Sequence, residues 1–140
     1  MKKEILVKQG INNNPLSINI RQTVFVSEQG FIDEFDEIDD IAWHAVLFVD
    51  EKAVATARVF LSEEGWHVGR VAVLKEYRKQ GLGEEVMNAV EQKAKELGAE
   101  EILLSAQLQA KGFYEKIGYE CYGEMYYDQH CPHVAMKKKI

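Results

Sequence analysis

The chain is predicted to fold as a mixed α/β protein, on three observations. Short runs rich in β-branched and apolar residues, "HAVLFVD", "AVATARVFL" and "GRVAVL", read as strands. The segment from Leu82 repeats its apolar residues every three or four positions, which reads as a helix. The two kinds of segment alternate along the chain, which calls for a mixed sheet with helices on its faces. With 140 residues, the whole span 1–140 is expected to be one domain with a real core.

"EILVK" at Glu4 to Lys8 reads as the first strand. Turn residues at Asn12 to Pro15 then lead into a helix that places Leu16, Ile20, Val24 and Ser27 along one face. "GFIDEFDEIDDIAW" reads first as an acidic, solvated loop, with carboxylates that draw in a cationic amine as the functional alternative. Asp50 to Lys52 makes a tight turn between two strands, giving a hairpin. "GWHVGRVAVL" is a further strand. Leu82, Val86, Val90, Ala94 and Leu97 form the apolar stripe of the next helix, which Gly98 stops. "EEILLSA" is a strand, "QAKGFYEKIGY" a short helix ending at Gly118, and "ECYGEMYY" and "HVAMKK" close the sheet.

Composition narrows the function. Apolar residues make up 46% and charged residues 29%, with a net charge of -6. That balance speaks against a nucleic-acid partner, which wants an excess of Lys and Arg. "MKKEILVKQG" has no long apolar run behind its lysines, so neither a secretion signal nor a membrane span is expected. A cytoplasmic protein with its two cysteines, Cys121 and Cys131, kept reduced is the expectation. "HCPH" crowds His130, Cys131 and His133 too closely for a structural zinc pattern, and no metal is expected.

The junction "RKQGLGEEV", residues 78–86, carries chemistry. A strand passes into a helix through a glycine turn, and the backbone N–H groups at a helix start have no partner within the helix. They point one way, and the helix dipole strengthens their pull on an anion. Gly81 and Gly83 leave no Cβ to block a ligand, and Arg78 and Lys79 add charge. It is neither a G-x-G-x-x-G fingerprint nor a P-loop. Alone it could be an ordinary strand-to-helix turn.

A second motif follows after the next strand. R-x-x-G-x-G (Arg78, Gly81, Gly83), then A-x-x-F-Y-E-K-x-G-Y (Ala110, Phe113, Tyr114, Glu115, Lys116, Gly118, Tyr119), resembles the GNAT superfamily of acyl-CoA N-acyltransferases. "RQTVFVSEQ", "DEIDD" with His44, "ATAR", "GRVAVL", "AQLQA" and "CPH" are similar to the ElaA/YjcF-like branch, over Arg21 to Met136. The resemblance implies a mostly antiparallel sheet of six to seven strands, splayed after the fourth and flanked by about four helices. It implies acetyl-CoA as cosubstrate, a small primary amine as acceptor, direct transfer in a ternary complex, and a possible homodimer.

The same resemblance assigns roles. Val71, Ala72 and Val73 on the splayed strand would meet the pantetheine arm, with the Val73 N–H polarising the thioester carbonyl. Lys79, Gln80, Gly81, Leu82, Gly83 and Glu84, beside Arg78, would bind the pyrophosphate. Gln107 stands where the family often has Asn, so its contact to the arm keeps the amide but not the geometry. Tyr114 would meet the leaving thiolate; a phenol with an ordinary pKa of ~10 can donate without being ionised. Packing beside Phe113 is its structural alternative.

The amine must also lose a proton, and three bases are open: His133, Glu28, and Asp39 or Asp40. Imidazole has the most suitable ordinary pKa, ~6.5, whereas Glu28 would need burial to raise it. Arg58 and Arg70, on strands among apolar residues, either pair with acids of the acidic loop or aim at an anionic substrate group, and the ion pair is the favoured expectation. An alternative to catalysis is an acyl-CoA-binding sensor or interaction module of the same fold.

Overall fold

A computed structural model describes residues 1–32 and 34–140. The eight described strands join one sheet. β1 (Lys3–Gln9), β2 (Trp43–Val49), β3 (Lys52–Ser62) and β4 (Gly65–Val73) form an antiparallel run. β5 (Glu101–Gln107) pairs with β4 in parallel, the one parallel pair among the described residues, and β8 (Cys131–Lys139) pairs antiparallel with β5. β6 (Glu120–Cys121) and β7 (Tyr126–Asp128) both lie on the outer edge of β8. The expected single strand "ECYGEMYY" is therefore broken. Cys121 faces Met136 and Tyr126 faces His133, so the outer strand spends more residues than β8 over the same stretch, as at a bulge.

The β2–β3 hairpin turns on Asp50 and Glu51, at φ 48° and 72°. Two left-handed residues in a two-residue loop match the twist of the strands they join.

α1 (Leu16–Arg21) runs into a π-helical segment, Gln22–Glu28, where Gln29 N–H bonds to Val24 O at 3.1 Å. The wider turn rotates the buried face. Ile20 and Val24 are buried as expected, but Leu16 and Ser27 are exposed, and Arg21 and Phe25 are buried instead. The acidic stretch contains a short helix, α2 (Ile38–Ile41), and is not a solvated loop: Glu34 and Asp39 are 7% and 2% exposed.

α3 (Leu82–Glu96) buries Leu82, Val86, Val90 and Ala94 against the sheet, together with Met87. Leu97, placed in that stripe by its spacing, is the C-cap residue and is 45% exposed, because the helix axis is already ending there. Glu91 is buried on the same helix and satisfied by the Tyr119 hydroxyl at 2.7 Å and Lys138 Nζ at 2.9 Å. α4 (Lys111–Lys116) follows β5 and buries Tyr114.

Two irregularities of β4 make the site. Pairing with β5 covers Trp66, His67 and Val68 and then stops, although both strands continue. This is the expected splay. On its other side β4 has a bulge: Thr56 faces Ala72 but Arg58 faces Gly69, so Arg70 and Val71 lie opposite Ala57 alone. Arg70 takes φ 52° there, a left-handed conformation unusual for a non-glycine.

Candidate active site

The cradle is built from the chain upward. Lys79 and Gly81 are left-handed, at φ 64° and 78°, and between them they turn the chain into α3. Gly81 is the N-cap residue and offers no side chain to the helix. The first described bond of the helix runs from Glu85 N–H to Gly81 O at 3.2 Å, which leaves the N–H groups of Leu82, Gly83 and Glu84 without partners inside the helix. A Cβ at Gly81 would meet nothing within 4 Å. The open side of this turn is therefore shaped for an anion, with Glu84 and Glu85 the acidic residues of the helix's first turn.

Gly83 differs from its expected role. A Cβ there would come 3.1 Å from Phe113 Cζ, so the missing side chain admits the aromatic ring of α4 rather than a ligand. Arg78 differs too. Its Nη1 and Nη2 each bind a Glu28 carboxylate oxygen at 2.7 Å, and its Nε donates to Val73 O at 2.9 Å. The guanidinium is a strut between the π segment and β4, and its charge is already matched.

Val73 presents its backbone to the opening. Leu74 N–H donates to Val54 O on β3 at 2.9 Å. Alternation along an extended strand turns the Val73 N–H the other way, into the gap where β4 has left β5. Arg78 takes the Val73 carbonyl on that same side and leaves the N–H.

One cleft of about 940 Å³ joins these parts. Val71, Ala72, Val73, Arg78, Lys79, Gly81, Leu82, Gly83, Glu84, Gln107, Tyr114 and His133 all line it. Gln80 and Glu28 do not: Gln80 is exposed to solvent, and Glu28 faces Arg78. The reason Glu28 was a candidate fails as well. It needed burial to raise its pKa, whereas the hydrogen bonds from Arg78 hold it below the usual carboxylate range.

Tyr114 is 8% exposed and sits between Phe113 and Tyr119, with ring centroids 5.0 and 5.8 Å away. Burial pushes its phenol well above the ordinary value, so it stays protonated. Gln107 has its amide engaged, donating to Gln29 Oε1 at 2.7 Å and accepting from Gln109 Nε2 at 2.5 Å. Across the sheet Gln107 is register partner to His133. His133 is buried and holds Cys131 O at 2.9 Å through Nδ1. A carbonyl only accepts, so Nδ1 carries the proton and Nε2 is the basic nitrogen.

The acidic loop enters the site as a charge network. Arg21 binds Glu34 at 2.9 Å and Asp39 at 2.7 Å; Arg58 binds Asp36 and Asp39, both at 2.8 Å; Arg70 binds Glu34 at 2.9 Å. The pairing expected for Arg58 and Arg70 is present. Burial alone would raise Asp39, but Arg21's hydrogen bonds and charge, with help from Arg58, outweigh it and hold the carboxyl at about 2. Asp39 is thereby a poor proton acceptor, and Asp40 is exposed outside the cleft. Glu34 is the reverse: burial dominates and raises it despite the neighbouring arginines. Glu34, Gln29, Phe60, His67 and Gly69 line the cleft without having been singled out in the sequence. No motif marks them; strand pairing and the loop's fold bring them there.

The comparisons agree with this geometry. Residues 19–140 match the family described as acetyltransferase (GNAT) domain. The chain belongs to the GNAT acetyltransferase family. YjcF of Bacillus subtilis, described as an uncharacterized N-acetyltransferase, is 36% identical over 122 residues, covering 85% of this chain and 87% of YjcF. An acyl-CoA N-acyltransferase of Pseudomonas aeruginosa has a TM-score of 0.86 at 26% identity, covering 98% of this chain and 99% of its own. ElaA of Escherichia coli shares the fold with a TM-score of 0.85 at 22% identity and the same coverage. This GNAT chain is thus an acyl-CoA-dependent acyltransferase with ElaA/YjcF-like relatives. None of its described helices is long and apolar enough to cross a membrane.

Proposed function

We propose that this GNAT protein transfers an acetyl group from acetyl-CoA to the primary amine of a small acceptor, directly, within a ternary complex. What supports this most is a single cleft that connects the open N-terminal turn of α3 to Tyr114 and His133. In this reading the free amides of Leu82, Gly83 and Glu84 hold the pyrophosphate, with Lys79 at the rim. The free edge of β4 from Val71 to Val73 lies along the pantetheine arm. Gln107, with one amide N–H given to Gln29 and one carbonyl lone pair to Gln109, keeps a second N–H and a second lone pair for the arm.

The chemistry the cosubstrate supplies is an acyl thioester: the amine nitrogen bonds to its carbonyl carbon, the C–S bond breaks, and sulfur leaves with the electron pair. His133 Nε2 takes the proton the amine must lose. The Val73 N–H donates to the carbonyl oxygen as charge develops on it. The Tyr114 hydroxyl, kept protonated by burial, delivers a proton or hydrogen bond to the departing sulfur.

The test is direct. Purified protein is mixed with acetyl-CoA and a panel of primary amines, and free thiol is followed. Release above the acetyl-CoA-only rate with at least one amine is expected. Tight CoA binding with no release for any amine favours a non-catalytic acyl-CoA module. A thermal shift with ATP or NAD as large as with CoA assigns the cradle to another nucleotide.

A further inference from the structure

The transfer chemistry leaves one end of the cleft unused, on the other side of the β4 bulge from the cradle. There Arg58 faces Gly69 and Phe60 faces His67, so the four positions share one face of the β3–β4 pair. A Cβ at Gly69 would meet nothing within 4 Å, and its φ is not left-handed. Neither packing nor backbone demands glycine there, and the space above it is open. The His67 ring stacks on Phe60 at 5.5 Å and 15°.

Three nitrogen sites at this end are unfilled among the described residues. His67 Nε2 and Arg58 Nε are buried and have no hydrogen-bond partner, although Arg58 Nη1 and Nη2 are held by Asp36 and Asp39. Arg70, carried by the bulge, uses Nε on the Glu34 carbonyl at 3.2 Å and on its carboxylate at 2.9 Å, and Nη2 on the same carbonyl at 3.0 Å and on Asp36 at 3.5 Å, while no bond to its Nη1 is present among the described residues. His67, Gly69, Arg58 and Arg70 all line the cleft. Arg58 Nε is a buried donor without an acceptor, which is destabilising, so its persistence points to an acceptor that arrives from outside. Among the described residues of this network, Arg21, Arg58 and Arg70 stand against Glu34, Asp36 and Asp39, three for three. That balance gives an incoming ammonium no surplus of negative charge. Burial and the charge of Arg58 both disfavour the Arg70 cation, a stress that a bound anion would relieve. Because Glu34 and Asp36 stand beside the donors, a singly charged group suits the place better than a doubly charged phosphate.

We infer that this end of the cleft binds a carboxylate of the acceptor, through Arg70, Arg58 and His67, so that the acetylated amine belongs to a small amino carboxylate. This rests on the acetyltransferase reading and names its substrate class. Val73 and Arg70 are three residues apart on β4, and with the bulge between them the separation is shorter than the ~10 Å of a regular strand. An amine near the Val73 N–H and a carboxylate near Arg70 therefore fit one short molecule.

The experiment uses conjugates in which the CoA sulfur carries an acetyl bridge amide-linked to glycine, β-alanine or 4-aminobutyrate, each compared with its neutral carboxamide. Dissociation constants are measured by calorimetry on the full chain, with CoA alone as reference. At least one acid conjugate is expected to bind about tenfold or more tighter than its carboxamide. Arg70→Gln should erase that difference and Arg70→Lys restore part of it, with both variants binding CoA as the unsubstituted protein does. Acids no tighter than carboxamides at all three lengths, while CoA itself binds, overturns the carboxylate and leaves the acetyltransferase reading standing. A 2-aminoethylphosphonate conjugate tighter than every acid also overturns it, as does discrimination that survives Arg70→Gln. Failure of CoA itself to bind removes both readings.

Discussion

Arg78 grips Glu28 at two points, Nη1 to Oε2 and Nη2 to Oε1, each at 2.7 Å, while its Nε holds the Val73 carbonyl at 2.9 Å. One side chain thus ties the π-helical segment to the splayed strand. The pairing also keeps Glu28 ionised and occupied, whereas His133 Nε2, in the proposed mechanism, is the base.

Glu28→Gln should therefore keep the shape of the pH–rate profile. Both partners are 35% exposed, so the loss of stability is expected to be under about 1 kcal/mol. His133→Gln should lower turnover on the order of a hundredfold or more and remove the limb on which rate rises with pH. The profiles of the two variants, measured with the best amine of the panel, check this. A limb lost in Glu28→Gln and kept in His133→Gln would reverse the assignment.

Tyr114 supplies a second outcome. Its buried phenol titrates above the ordinary tyrosine range, so turnover should not fall through Tyr114 ionisation up to about pH 10. Tyr114→Phe should reduce kcat on the order of a hundredfold while changing CoA affinity by less than about threefold. Equal losses in both quantities would reassign Tyr114 to packing between Phe113 and Tyr119.

Much of the architecture was legible because it rests on local periodicity. The α3 stripe, the β2–β3 hairpin and the order of elements follow from spacing that the backbone imposes. The junction at Gly81 was legible for a related reason: a strand, a glycine turn and a helix are contiguous, so their juxtaposition is written in one stretch. What escaped depends on contacts between distant segments. Whether Gly83 faces a ligand or Phe113 is decided 30 residues away, where α4 docks. The spacing of Leu16 and Ser27 holds only for 3.6 residues per turn, which the π segment abandons. The acidic stretch reads as solvated until three arginines from α1, β3 and β4 are seen to converge on it.

That convergence makes Asp39 a stability determinant. Its carboxyl lies at about 2 in the folded protein against an ordinary 3.8. A depressed carboxylate stabilises the fold above its unfolded value and loses that contribution as pH falls through the folded one. Acid unfolding should steepen between about pH 4 and pH 2. Asp39→Asn should flatten that region and lower stability near neutrality by about 3 kcal/mol or more, since Arg21 and Arg58 would be left buried with one fewer charge partner. Denaturant titrations across this pH range measure both. A loss below about 1 kcal/mol would mean the network relaxes around the missing charge.

The two glycines of the cradle should respond to substitution for different reasons, and a double variant separates them. Gly81 has φ 78° and open space where a Cβ would go. Alanine there is strained by about 1 kcal/mol and projects into the open turn proposed to hold the pyrophosphate. Gly81→Ala should therefore weaken CoA binding about tenfold or more, beyond what its stability loss explains. Gly83 has ordinary backbone but a Cβ position 3.1 Å from the Phe113 ring. Gly83→Ala should displace that ring and disturb Tyr114 beside it, and Phe113→Leu in the same chain should recover most of the affinity and rate by making room. Calorimetric titration with CoA, alongside denaturant unfolding of each variant, reads both effects. Unchanged CoA affinity in Gly81→Ala would remove the cradle. A Gly83→Ala defect that Phe113→Leu leaves uncorrected would return Gly83 to direct contact with the ligand.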